Sequence, residues 1–328
     1  MSGDLGPRVA ISAAQNFTAK FPDVDIVLVG NEQQLLEFSS AKKLSKDRIS
    51  ILNASDVVAM DEDPLQALRH KKNSSMWIAI DSINNNLADA CVSAGNTGAL
   101  LAIGKYLLKT FPGIERPAIC KAMPVEHGQT YLLDLGANTN CTAEHLHQFA
   151  LMGNTLATTN NSLPRIALLN IGTEVGKGTD VIKSAQHLMQ HDSRLNFSGY
   201  IEANKIFSGE VDVIVCDGFH GNIALKTSEG TARFIAKKIQ TFFKHKWFMR
   251  LVGFIIWPLL KQLRAELDPS MYNGASFLGL QKVLVKSHGN ADQKAFIQAL
   301  IVAREQVIQN IPARIQQELQ NQSSFLQR

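Results

Sequence analysis

One local pattern recurs along the chain: a short apolar strand, a polar loop containing glycine, and then a helix. Its fullest copy spans 211–230, where a β-branched run ending at Cys216 is followed by Gly218 and Gly221. Glycine lets the backbone approach a ligand closely, and the first N–H groups of a helix have no acceptor within that helix. The pattern is therefore typical of an anion-binding loop, although tight turning alone also explains a single copy.

Repetition strengthens the functional interpretation. Four further copies lie at 90–99, 132–141, 167–180 and 283–292. Ligands of open α/β sheets collect beyond the carboxyl ends of the strands, so these loops predict one shared anion cleft in an α/β fold with a mostly parallel sheet. A chain of 328 residues with 45% hydrophobic composition can form one such unit or two smaller domains. We take residues 1–328 as a single domain.

Net charge and cysteine usage limit the kinds of binding partner and the cellular compartment that we expect. A net charge of +4 fits an acidic partner or an anionic membrane, and no basic-aromatic array predicts nucleic-acid binding. The start lacks the basic-then-apolar pattern of a signal peptide. The cysteines show no Cys-x-x-Cys spacing, and Cys91 and Cys216 lie in apolar strand runs, so small core residues of a cytoplasmic protein are the default interpretation. They are Cys91, Cys120, Cys141 and Cys216.

No metal or cofactor is expected. Cys141 and His145 could chelate in principle, but no further ligands stand at zinc-site spacing. No Gly-x-Gly-x-x-Gly opens a helix, which disfavours a nicotinamide-dependent dehydrogenase.

The segment 242–264 is the most apolar part of the chain, and from Trp247 to Leu260 only Arg250 is charged. The run is shorter than the roughly 20 residues of a bilayer-spanning helix, and Pro258 interrupts it. Tryptophans flanked by basic residues suit a membrane surface, and a hairpin buried in a dimer contact is the alternative. The predicted membrane-contacting residues are Trp247, Phe248, Leu251, Phe254, Ile255 and Trp257.

Several longer motifs occur in order. They are Ser-Ala-Gly-Asn-Thr-Gly-Ala (93–99), Leu-Gly-Ala-Asn (135–138), Leu-Asn-Ile-Gly (169–172), Cys-Asp-Gly-Phe (216–219), Leu-Lys-Thr-Ser-Glu-Gly (225–230) and Lys-Ser-His-Gly (286–289). Through them the chain, from Gly3 to about Ala303, resembles the phosphate acyltransferase (PlsX) family of bacterial phospholipid synthesis.

The resemblance implies a fold and a function. The fold is a three-layer α/β/α sandwich, similar to isocitrate and isopropylmalate dehydrogenases and to phosphotransacetylases, in a homodimer with a protruding apolar helical segment. The activity is transfer of a fatty acyl group from acyl carrier protein to inorganic phosphate. A membrane glycerol-3-phosphate acyltransferase then uses the acyl phosphate, so we expect a cytoplasmic protein held peripherally at the inner face of the membrane.

Three departures from the family pattern stand out. The family begins with a strand before Met-Gly-Gly-Asp, whereas this chain begins at Met1, so a late start assignment or a lost strand is expected. Consecutive acidic residues are common where this chain has only Glu174. His220 and Asn140 replace the usual Thr and Asp. Fewer carboxylates would make the site less repulsive to phosphate, and could also lower activity.

Candidate catalytic residues follow from the chemistry and the resemblance together. Lys177, between two glycines, can stabilise anionic charge, and Asn222 can donate its amide to phosphate or to the oxyanion. His288 could protonate the departing thiolate, or be a loop histidine bonded to backbone. The predicted phosphate- and substrate-binding residues are Gly95, Asn96, Thr97, Gly98, Gly136, Ala137, Asn138, Asp217 and Gly221.

Two other functions remain open at this point. A short-chain phosphotransacetylase would use a coenzyme A thioester in the same fold. A catalytically lapsed scaffold for lipid-synthesis proteins at the membrane surface would explain the altered start and the substituted loop residues.

Overall fold

The computed structural model describes residues 1, 3–40, 47–158, 162–174, 176–245 and 269–325. Strands and helices alternate through this part of the chain. The strands are β1 (Ile26–Gly30), β2 (Ile49–Asn53), β3 (Ala90–Ser93), β4 (Ala118–Pro124), β5 (Gln129–Leu133), β6 (Arg165–Asn170), β7 (Asn196–Glu202), β8 (Val213–Val215), β9 (Ala275–Leu278) and β10 (Val283–Lys286). The helices are α1 (Pro7–Lys20), α2 (Glu32–Ser40), α3 (Pro64–His70), α4 (Ser75–Asn84), α5 (Thr97–Leu108), α6 (Ala143–Ala157), α7 (Asp180–Gln190), α8 (Gly218–His245), α9 (Gln293–Ile308) and α10 (Ile311–Phe325).

The described strands form a central sheet of eight, in the order β3-β10-β9-β4-β5-β8-β6-β7, and a separate parallel pair of β1 and β2. Parallel pairing joins β3 to β10 and links β5, β8, β6 and β7, so the sheet is mostly parallel as expected. Three antiparallel pairings separate the two groups, through β9 and β4. The carboxyl ends of β3 and β10 therefore lie at one edge of the sheet, and those of β5, β8 and β6 lie at the opposite edge. The five glycine loops do not follow strand ends at a single edge, which the sequence pattern had implied.

Helices cover both faces of the sheet. Side chains alternate across a strand, so Ile119 and Leu132 pack against α4 and α5, whereas Cys120 and Leu133 pack against α6. Each face thus has its own apolar core. The expected three-layer α/β/α sandwich is confirmed.

Two boundaries differ from the sequence expectation. The sequence has helical character from Ile223 onward, but helix α8 already begins at Gly218, and the Asp217 carboxylate accepts the His220 N–H at 2.9 Å in the manner of a helix cap. The turn residues Asp268-Pro269 and Asn273-Gly274 predict a loop over 267–279, but strand β9 lies inside this range. Gly274, just before it, has φ +111°, so the turn signal there was correct and the strand follows it directly.

The predicted membrane contact falls on residues outside the described part of the chain. Residues 246–268 lie outside the described residues, and with them Trp247, Phe248, Leu251, Phe254, Ile255 and Trp257. None of the helices in the described part of the chain combines the length and hydropathy needed to span a bilayer.

Candidate active site

The loop after β5 is organised by a buried carboxylate that the sequence analysis had not assigned. Asp134 is fully buried, and its Oδ1 accepts the N–H groups of Ile119 at 2.9 Å and Ala137 at 3.1 Å. Its Oδ2 accepts the backbone N–H of Asn138 at 2.7 Å and that residue's Nδ2 at 2.9 Å. Burial raises the pKa of Asp134, and these four donors oppose the rise. The carboxylate therefore holds the Gly136 loop in one conformation.

Helix α8 starts directly on that loop. The Gly218 N–H donates to the carbonyl of Asn138 at 2.7 Å. A Cβ at position 221 would lie 1.9 Å from the Asp134 carbonyl oxygen, so the close approach of helix and loop requires Gly221.

This contact brings Asn222 over the loop. An added Cβ on Gly136, whose φ is +119°, would lie 3.8 Å from Asn222 Cβ. The side chain of Asn222 is exposed there. Asp217 is engaged elsewhere, because its Oδ2 lies 2.7 Å from His220 Nδ1. The substituted residue His220 thus pairs with a predicted substrate-binding carboxylate.

The loop after β6 presents Lys177 at the same sheet edge. The Asn170 Nδ2 donates to the Lys177 carbonyl at 3.2 Å, and the Lys177 N–H donates to the Glu174 carbonyl at 3.2 Å. A Cβ added to Gly172 would lie 3.4 Å from Lys177 Cγ and 2.5 Å from Glu174 Oε2. The exposed lysine stem and a carboxylate therefore share the space beside Gly172.

The loop after β3 uses its asparagine structurally. Asn96 is buried and caps α5, with its Oδ1 accepting the Ala99 N–H at 3.0 Å. Its Nδ2 donates to the carbonyls of Met60 at 3.0 Å and Glu62 at 2.9 Å. The side-chain amide is thus occupied, whereas Thr97 is exposed at the start of α5.

The two glycines of this loop also make local contacts. The Gly95 N–H donates to Ser93 Oγ at 3.2 Å, which tightens the turn. A Cβ on Gly98 would lie 2.7 Å from Pro64 Cγ, so this glycine admits the start of α3.

The loop after β10 lies against the loop after β3. Lys286 is buried, and its Nζ donates to the carbonyls of Ala94, at 3.4 Å, and Ser287. Burial lowers the pKa of Lys286 to about 8. Asn273 fixes the loop, because its Nδ2 donates to Ser287 Oγ at 2.8 Å and its Oδ1 accepts the His288 N–H at 3.0 Å.

His288 is neutral at physiological pH. The pKa of His288 is lowered, mainly because part of the imidazole ring is removed from water and secondly because of the positive charge of Lys226. The Asn290 N–H donates to Nδ1 at 3.4 Å, which leaves the proton on Nε2. The ring can therefore donate a hydrogen bond through Nε2, but imidazolium is the minor form. The predicted protonation of the departing thiolate by His288 stays a prediction.

One face of α8 connects the two edges of the sheet. Asn222, Lys226 and Glu229 are spaced i, i+4 and i+7, so they share a face. Glu229 lies 3.1 Å from Lys226 and 3.8 Å from Lys121 on β4. Since α8 begins at the carboxyl end of β8 and its charges reach His288, this face extends from the Gly136 loop toward the end of β10.

Comparison with known proteins identifies the family. The sequence model of the family described as "Fatty acid synthesis protein" matches residues 1–314. The chain belongs to this family. A relative from Cellvibrio japonicus (strain Ueda107), named phosphate acyltransferase, is 58% identical over 320 residues, which cover 97% of this chain and 96% of the relative. A phosphate acyltransferase of Ectopseudomonas mendocina (strain ymp) is 48% identical over 324 residues, covering 98% and 96%. The resemblance found in the motifs is confirmed.

Solved structures share the fold at low identity. A phosphotransacetylase from Streptococcus pyogenes has a TM-score of 0.60 at 16% identity, covering 92% of both chains. The EutD phosphotransacetylase from Staphylococcus aureus has a TM-score of 0.59 at 15% identity, covering 90% of both chains. A 4-hydroxythreonine-4-phosphate dehydrogenase from Klebsiella pneumoniae has a TM-score of 0.51 at 13% identity, covering 92% of this chain and 94% of that one. These neighbours confirm the expected fold relationship with phosphotransacetylases and dehydrogenases.

In this member of the Fatty acid synthesis protein family, the predicted site residues form two groups. One surrounds Asp134 at the β5 and β8 edge, with the Lys177 loop following the neighbouring strand there. The other lies at the β3 and β10 edge. The first group contains Gly136, Ala137, Asn138, Asp217, Gly221 and Asn222, and the second contains Gly95, Asn96, Thr97, Gly98 and His288.

Charged residues between the two groups were missed by the sequence analysis. They are Lys121, Lys226, Glu229 and Lys286, in addition to Asp134. Lys226 and Glu229 stand in a quoted motif, and their helical spacing from Asn222 was a usable signal. Lys121 lies within a strand and gave no signal in the sequence.

Proposed function

We propose that the chain transfers a fatty acyl group from a thioester on acyl carrier protein to inorganic phosphate, and that the acyl phosphate enters phospholipid synthesis. The observation that carries this proposal is the Gly136 loop, fixed by Asp134 and overlaid by the exposed amide of Asn222. Such a rigid loop suits a reaction in which charge develops on one oxygen. The names of the close relatives support the same chemistry.

The proposed reaction is a displacement at the thioester carbonyl. An oxygen of hydrogen phosphate bonds to the carbonyl carbon, the C–S bond breaks, and the proton of the hydrogen phosphate passes to the departing thiolate of the carrier. The Lys177 ammonium and the Asn222 amide stabilise the tetrahedral oxyanion, and the Nε2–H of His288 adds a neutral donor. No cofactor is required, because phosphate itself supplies the nucleophile.

The cellular setting belongs to the same proposal. The protein works in the cytoplasm as a homodimer, held peripherally at the membrane through the segment 242–264. Acyl carrier protein delivers the acyl group, and a membrane glycerol-3-phosphate acyltransferase consumes the product. The support is the apolar, tryptophan-bearing composition of that segment with its flanking lysines.

Replacing Lys177 with alanine tests the catalytic assignment. An interaction made in the transition state contributes about 10²–10³ in rate, so Lys177→Ala should lower kcat for acyl-phosphate formation by that factor. Lys183→Ala is the matched control, because Lys183 is an exposed lysine of α7 paired with Asp180 at 3.9 Å. Activity of Lys177→Ala within a few-fold of the unmodified enzyme would remove this lysine from the mechanism.

The choice of thioester separates the proposal from its alternative. The enzyme should prefer long-chain acyl carrier protein over short-chain coenzyme A thioesters when the two compete. A preference for the coenzyme A thioester would instead establish a phosphotransacetylase. Binding to liposomes with no turnover of either thioester would support the scaffold.

A further inference from the structure

Lys286 is a buried cation with no carboxylate to neutralise it directly. Its Nζ contacts only the carbonyls of Ala94 and Ser287 in the hydrogen bonds of the described residues, and none of the ion pairs found among those residues includes it. Buried charges are normally paired, because desolvation of an ammonium group is costly. Asp4 acts on Lys286 favourably, but only through its charge at longer range.

Further positive charge surrounds Lys286. Lys226 and Lys121 both lie near His288, where they share the single carboxylate of Glu229. Three ammonium groups thus face two carboxylates, Glu229 and Asp4, beside a neutral imidazole. One positive charge remains uncompensated, and most of the Lys286 side chain has been removed from water.

The buried charge of Lys286 lies where an anionic ligand would also be favoured by the backbone. The carbonyl that Lys286 contacts belongs to Ala94, in the loop that opens α5, so the ammonium lies at the start of a helix of 12 residues. The first N–H groups of α5 favour an anionic ligand, as the Lys286 ammonium does. Lys226 stands one turn, about 6 Å, along α8 from Asn222.

We propose that Lys286, assisted by Lys226 and the first turn of α5, binds the inorganic phosphate that the transfer reaction consumes. This assignment rests on the proposed function and places its two substrates at different parts of the site. The β3 and β10 edge holds the nucleophile, whereas Lys177, Asn222 and the Gly136 loop hold the thioester carbonyl. A phosphodiester in the carrier's pantetheine arm has the same chemistry, but it lies at the far end of the arm from the thioester. The single helical turn between Asn222 and Lys226 favours inorganic phosphate.

The test measures phosphate binding and turnover separately. Equilibrium dialysis with radiolabelled inorganic phosphate reports binding to the unmodified chain and to Lys286→Met, which keeps the side-chain length and removes the charge. A hydrogen bond to a charged group contributes about 1.5–3 kcal/mol, so phosphate affinity should fall about 10- to 100-fold. Steady-state assays should show the same rise in KM for phosphate, with KM for acyl carrier protein unchanged within twofold.

Two companion variants make the result decisive. Lys282→Met is the matched control, because Lys282 precedes the same strand and contacts Asn86 Oδ1 at 2.6 Å; both KM values should stay as they are. Lys226→Gln, on the exposed face of α8, should raise KM for phosphate several-fold and serves if Lys286→Met does not fold.

The outcomes separate the two proposals. Loss of phosphate binding in Lys286→Met supports the phosphate site even if the unmodified chain makes no acyl phosphate, in which case the proposed function alone fails. Normal phosphate binding by both Lys286→Met and Lys226→Gln overturns the site, whether or not turnover is observed. A rise confined to KM for acyl carrier protein also overturns it, because the bound group would then be the phosphodiester of the carrier arm.

Discussion

The Lys286 ammonium is buried at the end of β10 between two carbonyl groups, and its environment gives it an unusual pH response. Burial lowers its pKa to about 8 from 10.5, so its charge is lost within an accessible pH range. Because the folded chain binds this proton less tightly than the unfolded chain, its burial cost is full below pH 8 and is relieved toward pH 10.5.

We therefore predict that phosphate affinity falls as pH rises through about 8, where Lys286 loses its proton. His288 does not contribute, because its lowered pKa makes it neutral already. Isothermal titration of phosphate from pH 7 to 9.5 should show log Kd bending at that pH in the unmodified chain. Lys286→Met should bind weakly and without the bend, whereas a bend retained in this variant would assign the titration to another group.

For individual residues, the sequence indicated some roles and concealed others. Glycine at position 221 and the amide at 222 were recognisable, because a β-branched run followed by glycines marks a ligand-approaching turn. Asp134 stands between apolar residues shortly before a glycine, which is an ordinary local pattern. Its role depends on four hydrogen-bond donors, and one of them, the Ile119 N–H, lies 15 residues earlier in the chain. The burial of Lys286 depends on β3 lying beside β10, which no local pattern indicates.

Among the elements, α8 is the one that connects the two halves of the site. Its first turn packs on the loop after β5, and its exposed polar face continues toward the loop after β10. The position of this helix depends on the absence of a side chain at Gly221, whose Cβ would lie 1.9 Å from a backbone oxygen and 2.7 Å from Cys216 Sγ.

Gly221→Ala should therefore destabilise the protein by about 3 kcal/mol or more, since overpacking against backbone cannot be relieved by a rotamer change. Gly230→Ala on the same helix is the control, because its Cβ would meet nothing within 4 Å. That change should stabilise the fold by about 0.5–1 kcal/mol through helix propensity. Urea unfolding of both variants measures the difference. Equal stabilities would mean that α8 does not pack tightly on the loop.

Element types were predictable where periodicity was strong, and strand direction was not. Two serines before an apolar run predict a capped helix from Ser74 toward Asn84, and in α4 the Ser74 Oγ accepts the Trp77 N–H at 3.2 Å. Strand β9 has only four residues, and turn residues precede it, so the local signal favoured a loop. Because β9 is antiparallel to both β10 and β4, those two strands run in the same direction. The reversal that separates the two groups of loops lies at the antiparallel pairing of β4 with β5, and the single shared edge predicted for all five loops was wrong for this reason.

In the molecule as a whole, the half of the sheet containing β5 to β8 is closed on one face by α6, α7 and α10. A buried ionic network stabilises this closure. Asp192, in the turn between α7 and β7, lies 2.8 Å from His147 Nε2 on α6 and accepts Arg194 Nε at 2.8 Å. Arg194 in turn donates to the carbonyl of Glu318 on α10 at 3.1 Å. One carboxylate thus ties two helices to the end of a third.

Asp192→Asn should cost about 1.5–3 kcal/mol of unfolding free energy at pH 7, because it removes the nearer carboxylate of the half-buried Arg194 and leaves only Glu318, at 3.8 Å, to pair with it. Burial alone would raise the pKa of Asp192, but hydrogen bonds from His147 and Arg194 lower it overall. A depressed carboxylate contributes its full stability above the unfolded value of 3.8 and loses it as pH falls toward the folded value. The difference between Asp192→Asn and the unmodified chain should accordingly shrink below pH 3.8.

The control is Asp180→Asn at a fully exposed carboxylate, which should change stability by less than about 0.5 kcal/mol. Urea unfolding across this pH range measures both variants, and a pH-independent difference for Asp192→Asn would mean that the ionised carboxylate does not stabilise the closure.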